Sequence, residues 1–123
     1  MRTVGDAMTT DVLTVATTAT LGKVARSMRA RNVGSAVVLD DDGKFAGIIS
    51  ERDLVNSVAR SRNPDLGTAE SWMQRDVSLI APSMSIADAV EAMRVAGVRH
   101  LPVGTGDTVA GIVSIRDLLA SVV

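Results

Sequence analysis

Two stretches of this chain pass through the same succession of helical and extended hydrophobic spacings. Leu21, Val24, Ala25 and Met28 recur at the three- and four-residue steps of an amphipathic helix, as do Ile86, Ala89, Val90 and Met93. Thr20 and Ser85 stand ahead of these runs as N-caps, and Ser85 with Asp88 has the form of a capping box with Asp in place of Glu. Asn32 and Gly97 suit the left-handed residue that ends a helix. Two short apolar runs around a polar turn follow each helix, SAVVL then KFAGII and HLPV then TVAGIV, and predict a pair of strands. A second helix is predicted from Ser50 to about Arg60 and from Ser114 to about Val122. The apolar pieces Val12–Val15 and Val77–Ile80 have the length of brief strands. The predicted order is strand, helix, strand, strand, helix, twice.

The two stretches are copies. Met8, Asp11, Val12, Ala16, Met28 and Val33 recur as Met73, Asp76, Val77, Ala81, Met93 and Val98, each displaced by 65. From Gly47 to Gly111 the displacement is 64, so one residue is lost between the strands, where DDDGK is matched by GTGD. GIISERDLV, Gly47 to Val55, returns as GIVSIRDLL, Gly111 to Leu119. SRNPDLGTAES, with Pro64 and Gly67, reads as a linker, which divides the chain into repeat 1 at 4–60, linker at 61–71 and repeat 2 at 72–123. A unit of about 60 residues is marginal alone. Two such units packed sheet to sheet about a pseudo-two-fold axis form one core and leave clefts where strand ends meet helix starts, the usual place for ligands.

Composition narrows the chemistry. With 123 residues, 46% of them hydrophobic and 22% charged, the chain has the make-up of a folded domain rather than a disordered tail. A net charge of -1 offers no general attraction to nucleic acid. There is no Cys and a single His, His100, which argues against zinc and excludes disulfides. No secretion signal or membrane-spanning run is apparent, so a cytoplasmic location without membrane association is expected. Asp40-Asp41-Asp42-Gly43 fits a solvated hairpin turn better than a calcium loop, since an EF-hand register would put a ligand at Val38. Walker and Rossmann fingerprints are absent, and His100 has no matched nucleophile, so an enzyme is not expected.

The doubled unit, each copy closing on Gly, two apolar residues, Ser, any residue, Arg and Asp, resembles the cystathionine-β-synthase (CBS) domain pair, or Bateman module, from Val4 to Leu119. The resemblance implies an α+β fold of two pseudo-symmetric β-α-β-β-α repeats. It also implies a regulatory binding module rather than an enzyme, with no required cofactor. Members mostly bind adenosine-containing ligands such as AMP, ADP, ATP, S-adenosylmethionine or NAD, report them to a regulated protein, and often form homodimers. A structural dimerisation module without a physiological ligand is the alternative.

By the same resemblance, ribose recognition falls on Asp53 and Asp117, with Ser50 and Ser114 beside them. An Asp in the first helical turn can accept from both ribose hydroxyls, and the helix start favours phosphate. Arg52 and Arg116 are candidates for phosphate or for a carboxylate across a dimer. Ser-x-x-Asp is equally a capping box that needs no ligand, and the two roles can coexist. The copies differ at the next position inward. The second carries Arg99, His100, Leu101 and Pro102 where the first has Gly34, Ser35, Ala36 and Val37, and Ile115 where the first has Glu51. The second copy is therefore expected to hold phosphate more strongly. Phe45 and Trp72 are the only aromatics, so an adenine slot would be aliphatic, with Ile49 and Val113 before the serines and Thr14 and Leu79 at the first short strands. Trp72 is expected to pack near the linker.

Overall fold

The computed structural model describes residues 2–60, 63 and 67–121. Its elements in chain order are α1 (Val4–Ala7), β1 (Thr14–Ala16), α2 (Leu21–Arg31), β2 (Ser35–Leu39), β3 (Phe45–Ser50), α3 (Glu51–Arg60), α4 (Ala69–Trp72), α5 (Ile86–Ala96), β4 (His100–Thr105), β5 (Thr108–Ser114) and α6 (Ile115–Ser121). The fold is α+β, with the helix, two strands and helix of the first copy repeated in the second. The one-turn helices α1 and α4 were not legible from hydrophobic spacing.

The two long helices start and stop where their end residues dictate. Thr20 Oγ1 accepts from the Lys23 amide at 3.2 Å, and Ser85 Oγ from the Asp88 amide at 3.1 Å. Asn32 and Gly97 take the left-handed conformation, with φ of 54° and 68°. Leu21, Val24 and Met28 of α2 and Ile86, Ala89 and Met93 of α5 are buried.

β2 pairs antiparallel with β3 and parallel with β1, whereas β4 pairs antiparallel with β5 in a two-stranded sheet. Both hairpins carry a bulge at the matching place, Val38/Leu39 and Val103/Gly104. Asp40 closes the first hairpin by accepting at Oδ1 from the amides of Asp42 and Lys44, both at 2.9 Å.

The second copy departs from its predicted first strand. In the first copy the Val37 amide donates to the Leu13 carbonyl at 2.9 Å and extends the ladder along β1. Pro102 stands at the matching position of the second copy and has no amide hydrogen to donate. What remains is a parallel bridge between Ile80 and Val103, held by Ile80 N–H to Pro102 O and Gly104 N–H to Ile80 O, both 3.0 Å.

The chain forms two compact units, and they are not cut where the repeats are cut. One unit is Leu13–Asp76; the other joins the residues up to Val12 with those from Val77 onward. Each contains a segment that precedes the other repeat in sequence. In the first unit α4 lies on the first repeat's core, with Ala69 buried and Trp72 half-buried, and Gln74 bridges Ile48 of β3. In the second unit α1 puts Val4 into the core, and Thr9 bridges Ile112 of β5. The expected linker thus overlaps α4 at its end, while Ser61, Arg62, Pro64, Asp65 and Leu66 lie outside the described residues.

The crossings account for the repeated glycines. A Cβ on Gly47 would stand 2.7 Å from the Gln74 carbonyl and 2.8 Å from the Met73 sulfur. One on Gly111 would stand 2.7 Å from both the Thr9 carbonyl and the Met8 sulfur. Gly47 and Gly111 permit a close backbone approach, and what approaches is this chain's own crossing segment.

Candidate functional site

Each repeated nonapeptide turns from strand into helix at a serine. Ser50 ends β3 and Ser114 ends β5, and in both the Asp three residues on reaches back to the serine amide: Ser50 N to Asp53 Oδ2 is 2.8 Å and Ser114 N to Asp117 Oδ2 is 3.0 Å. The Asp amide returns a bond to the serine hydroxyl, at 3.4 Å in the first unit and 3.1 Å in the second. Both are reciprocal capping boxes, so the capping role is present in each copy.

The strands bring the inner candidates to the same corners. Ser35 lies opposite Ser50 and Ala36 opposite Ile49; His100 lies opposite Ser114 and Leu101 opposite Val113. The Gly34 carbonyl accepts from the Glu51 amide at 3.0 Å, and the Arg99 carbonyl from the Ile115 amide at 2.9 Å, which fixes each residue beside its helix start. Thr14 is exposed beside Val37, and half-buried Leu79 precedes the Ile80 bridge. Ala36, Ile49, Leu101 and Val113 point into the two cores, and Pro102 is fully buried, so these side chains serve packing. Arg52, Arg99 and Arg116 are exposed, and His100 is half-buried.

The two aspartates differ in what else they touch. Asp53 is 4% exposed, takes the Ser50 hydroxyl on Oδ2 at 3.0 Å, and accepts the Gln74 side-chain amide on Oδ1 at 2.8 Å. Both its carboxylate oxygens are therefore committed within the first unit. Asp117 is half-buried and uses Oδ2 for its cap; the residue matching Gln74 is Thr9, and no hydrogen bond to Asp117 Oδ1 is found among the described residues. Charge differs in the same sense. The first corner sets Arg52 against Glu51 and Asp53, whereas the second sets Arg99 and Arg116 against Asp117.

Gln74 escaped the sequence reading. It lies outside the nonapeptide, and only the displacement of 65 that aligns it with Thr9 would have drawn attention to it. Gln74→Ala leaves a buried carboxylate oxygen without its donor, so a loss of about 1–2 kcal/mol in denaturant unfolding is expected. An unchanged midpoint would mean that water replaces the amide without cost.

A groove of about 350 Å³ lies in the second unit, lined by Val90, Met93, Arg94, Gly97, Val98, Arg99 and Ile115. It shares Arg99 with the predicted corner and reaches Ile115 at the start of α6, but neither Ser114 nor Asp117 lines it. Among the described residues no group of three or more His, Cys, Asp or Glu side chains is arranged to hold a metal ion. No described helix is long and apolar enough to cross a membrane.

The doubled capping corner on a repeated α+β unit defines a class: a pair of like domains, each turning from strand into helix at its own Ser and Asp. The CBS domain model matches residues 4–60 and 69–123, and the chain belongs to the CBS-domain family, as a CBS pair. An uncharacterised 17.7 kDa protein of Acidianus ambivalens is 39% identical over 89% of this chain, and the chain spans 66% of that relative's length. Among solved structures, a CBS-domain protein from Agrobacterium tumefaciens superimposes with a TM-score of 0.89 at 31% identity, covering 98% of this chain and 93% of that one. A CBS domain pair solved in complex with 5′-methylthioadenosine and S-adenosylmethionine superimposes with a TM-score of 0.88 at 21% identity, covering 98% and 99%. The CBS pair is a regulatory module.

Proposed function

We propose that this chain senses an adenosine-containing ligand through the corner of its second unit, and works as a cytoplasmic homodimer that passes the signal on by a change of conformation or pairing. The observation that carries the reading is the unequal commitment of the two aspartates. Asp117 Oδ1 is left for a ribose hydroxyl, while Asp53 is closed by Gln74. Ser114 stands at the start of α6, and Arg99 and Arg116 supply positive charge for phosphate or a sulfonium ligand's carboxylate. The fold's likeness to a pair that holds S-adenosylmethionine and 5′-methylthioadenosine supports the ligand class. A ligand shifts such a module only by binding one arrangement better than another. No catalytic group is assigned, and the ligand is a signal rather than a cofactor.

The test is a thermal-shift panel of AMP, ADP, ATP, NADH, S-adenosylmethionine and 5′-methylthioadenosine. A ligand at 100 times its dissociation constant adds about 2.7 kcal/mol, or roughly 5 °C for a chain of this size. At least one is expected to produce that shift. None doing so would leave the structural pairing module as the function.

A further inference from the structure

Different residues cross the two corners at one matching position. In the first unit the segment after α4 crosses β3, where the Gln74 amide donates to the Ile48 carbonyl at 2.7 Å and the Gln74 carbonyl accepts from the Ile48 amide at 3.2 Å. In the second unit Thr9 exchanges the same two bonds with Ile112, at 2.8 Å and 3.0 Å. Asp53 follows Ile48 in the sequence by the same interval as Asp117 follows Ile112, and the reciprocal cap of Ser and Asp is present in both units. The backbone of the crossing residue is thus pinned alike relative to each carboxylate. What differs is the side chain it carries.

Side-chain length decides the rest. The amide nitrogen of Gln stands two bonds farther from the backbone than the hydroxyl of Thr. Gln74 spans the gap, and its Nε2 donates to Asp53 Oδ1 at 2.8 Å. Among the described residues no hydrogen bond joins the Thr9 hydroxyl to Asp117. Gln74 is itself exposed, so it meets the carboxylate from the solvent side and covers it. Asp53 is left 4% exposed, whereas Asp117 beneath Thr9 is half-buried. The cap does not require the Gln, because Ser114 and Asp117 form theirs without one. A donor on the outward carboxylate oxygen competes with a ribose hydroxyl for that same oxygen.

We infer that the residue at this crossing decides whether a corner takes an adenosine ligand: Thr9 keeps the second corner open by being short, and Gln74 is a built-in occupant of the first. The crossing residue then sets how many ligands one chain holds, although it lies outside the Ser-x-x-Asp motif. This rests on the reading that Asp117 Oδ1 receives a ribose hydroxyl. Charge fixes what the first corner accepts once opened. Glu51 and Asp53 outnumber Arg52 there, which suits an uncharged nucleoside, whereas Arg99 and Arg116 beside Asp117 suit an anionic one.

Isothermal titration calorimetry on the full chain, with adenosine and the compounds of the thermal-shift panel, tests it with three single variants. Thr9→Gln puts the long donor over Asp117 and should weaken binding at the second corner roughly 10- to 100-fold, the size expected for a hydrogen bond to a charged group. Its melting midpoint should be no lower than that of the wild type. Thr9→Val is as short as threonine and should bind within about threefold of wild type. Gln74→Thr should lower the unliganded midpoint, leave the second corner's affinity unchanged, and add a further adenosine-binding site to each chain. A residue that acted on stability alone would move the midpoint without changing the number of ligands bound. Thr9→Gln with wild-type affinity would overturn the inference, as would an equal loss in Thr9→Gln and Thr9→Val, which would assign the effect to packing at the crossing. So would a Gln74→Thr chain that takes up no more adenosine than wild type. A wild type that binds none of these compounds overturns the ligand reading itself and, unless Gln74→Thr then binds adenosine, the inference with it.

Discussion

Gly111→Ala is expected to destabilise the second unit by about 2–3 kcal/mol, as an overpacking change with nowhere to relax. The added methyl would meet the Thr9 carbonyl and the Met8 sulfur, each at 2.7 Å. A methionine side chain can move aside, but the Thr9 carbonyl is fixed on both sides of the crossing. It accepts from the Ile112 amide at 3.0 Å, and the Thr9 amide donates to the Ile112 carbonyl at 2.8 Å. Moving the strand away to admit the methyl therefore weakens two backbone hydrogen bonds as well as the packing. Gly47→Ala should behave alike, since its methyl would stand 2.7 Å from the Gln74 carbonyl. The melting temperature of either variant should fall by roughly 10 °C. A change within about 2 °C would show that the crossing segment is loosely held.

The second large effect separates the two aspartates. Asp53→Ala removes the acceptor for the Ser50 amide, the Ser50 hydroxyl and the Gln74 amide at a site 4% exposed, and a loss of about 2–4 kcal/mol is expected. Asp117→Ala removes a single cap acceptor at a half-buried position, and about 1 kcal/mol is expected. Their ligand effects should run the other way. Asp117→Ala should abolish the shift given by whichever adenosine compound stabilises the wild type. Asp53→Ala should retain most of that shift from its lower baseline. If Asp117→Ala kept the shift and Asp53→Ala lost it, the ranking of the corners would be reversed. Measuring both the unliganded midpoint and the ligand-induced increment keeps stability and binding apart.

The copies are easy to read because local rules suffice for them. The helical spacing of Leu21, Val24 and Met28, the caps at Thr20 and Ser85, and the left-handed ends at Asn32 and Gly97 are properties of short windows, and all reappear in the structure. The cap between Ser50 and Asp53 is legible for the same reason, as three residues separate its partners. Pro102 shows where a window is too short. Beside Arg99 and His100 it marks the difference between the copies, and its missing amide also reduces the strand predicted at Val77–Ile80 to a bridge. That consequence depends on which neighbour lies across from it.

Sequence alone determined the doubling, the α+β elements of each copy, the family, and the unequal charge between the two corners, since each follows from residue identity at fixed spacing. Tertiary structure decided that the segment ahead of each repeat belongs to the other repeat's unit. It placed Gln74 on Asp53 across 21 residues of chain and, among the described residues, left no matching donor on Asp117. The physical reason is that a carboxylate's availability is set by the donors brought to it in space, and only the fold determines which distant segment crosses above a glycine.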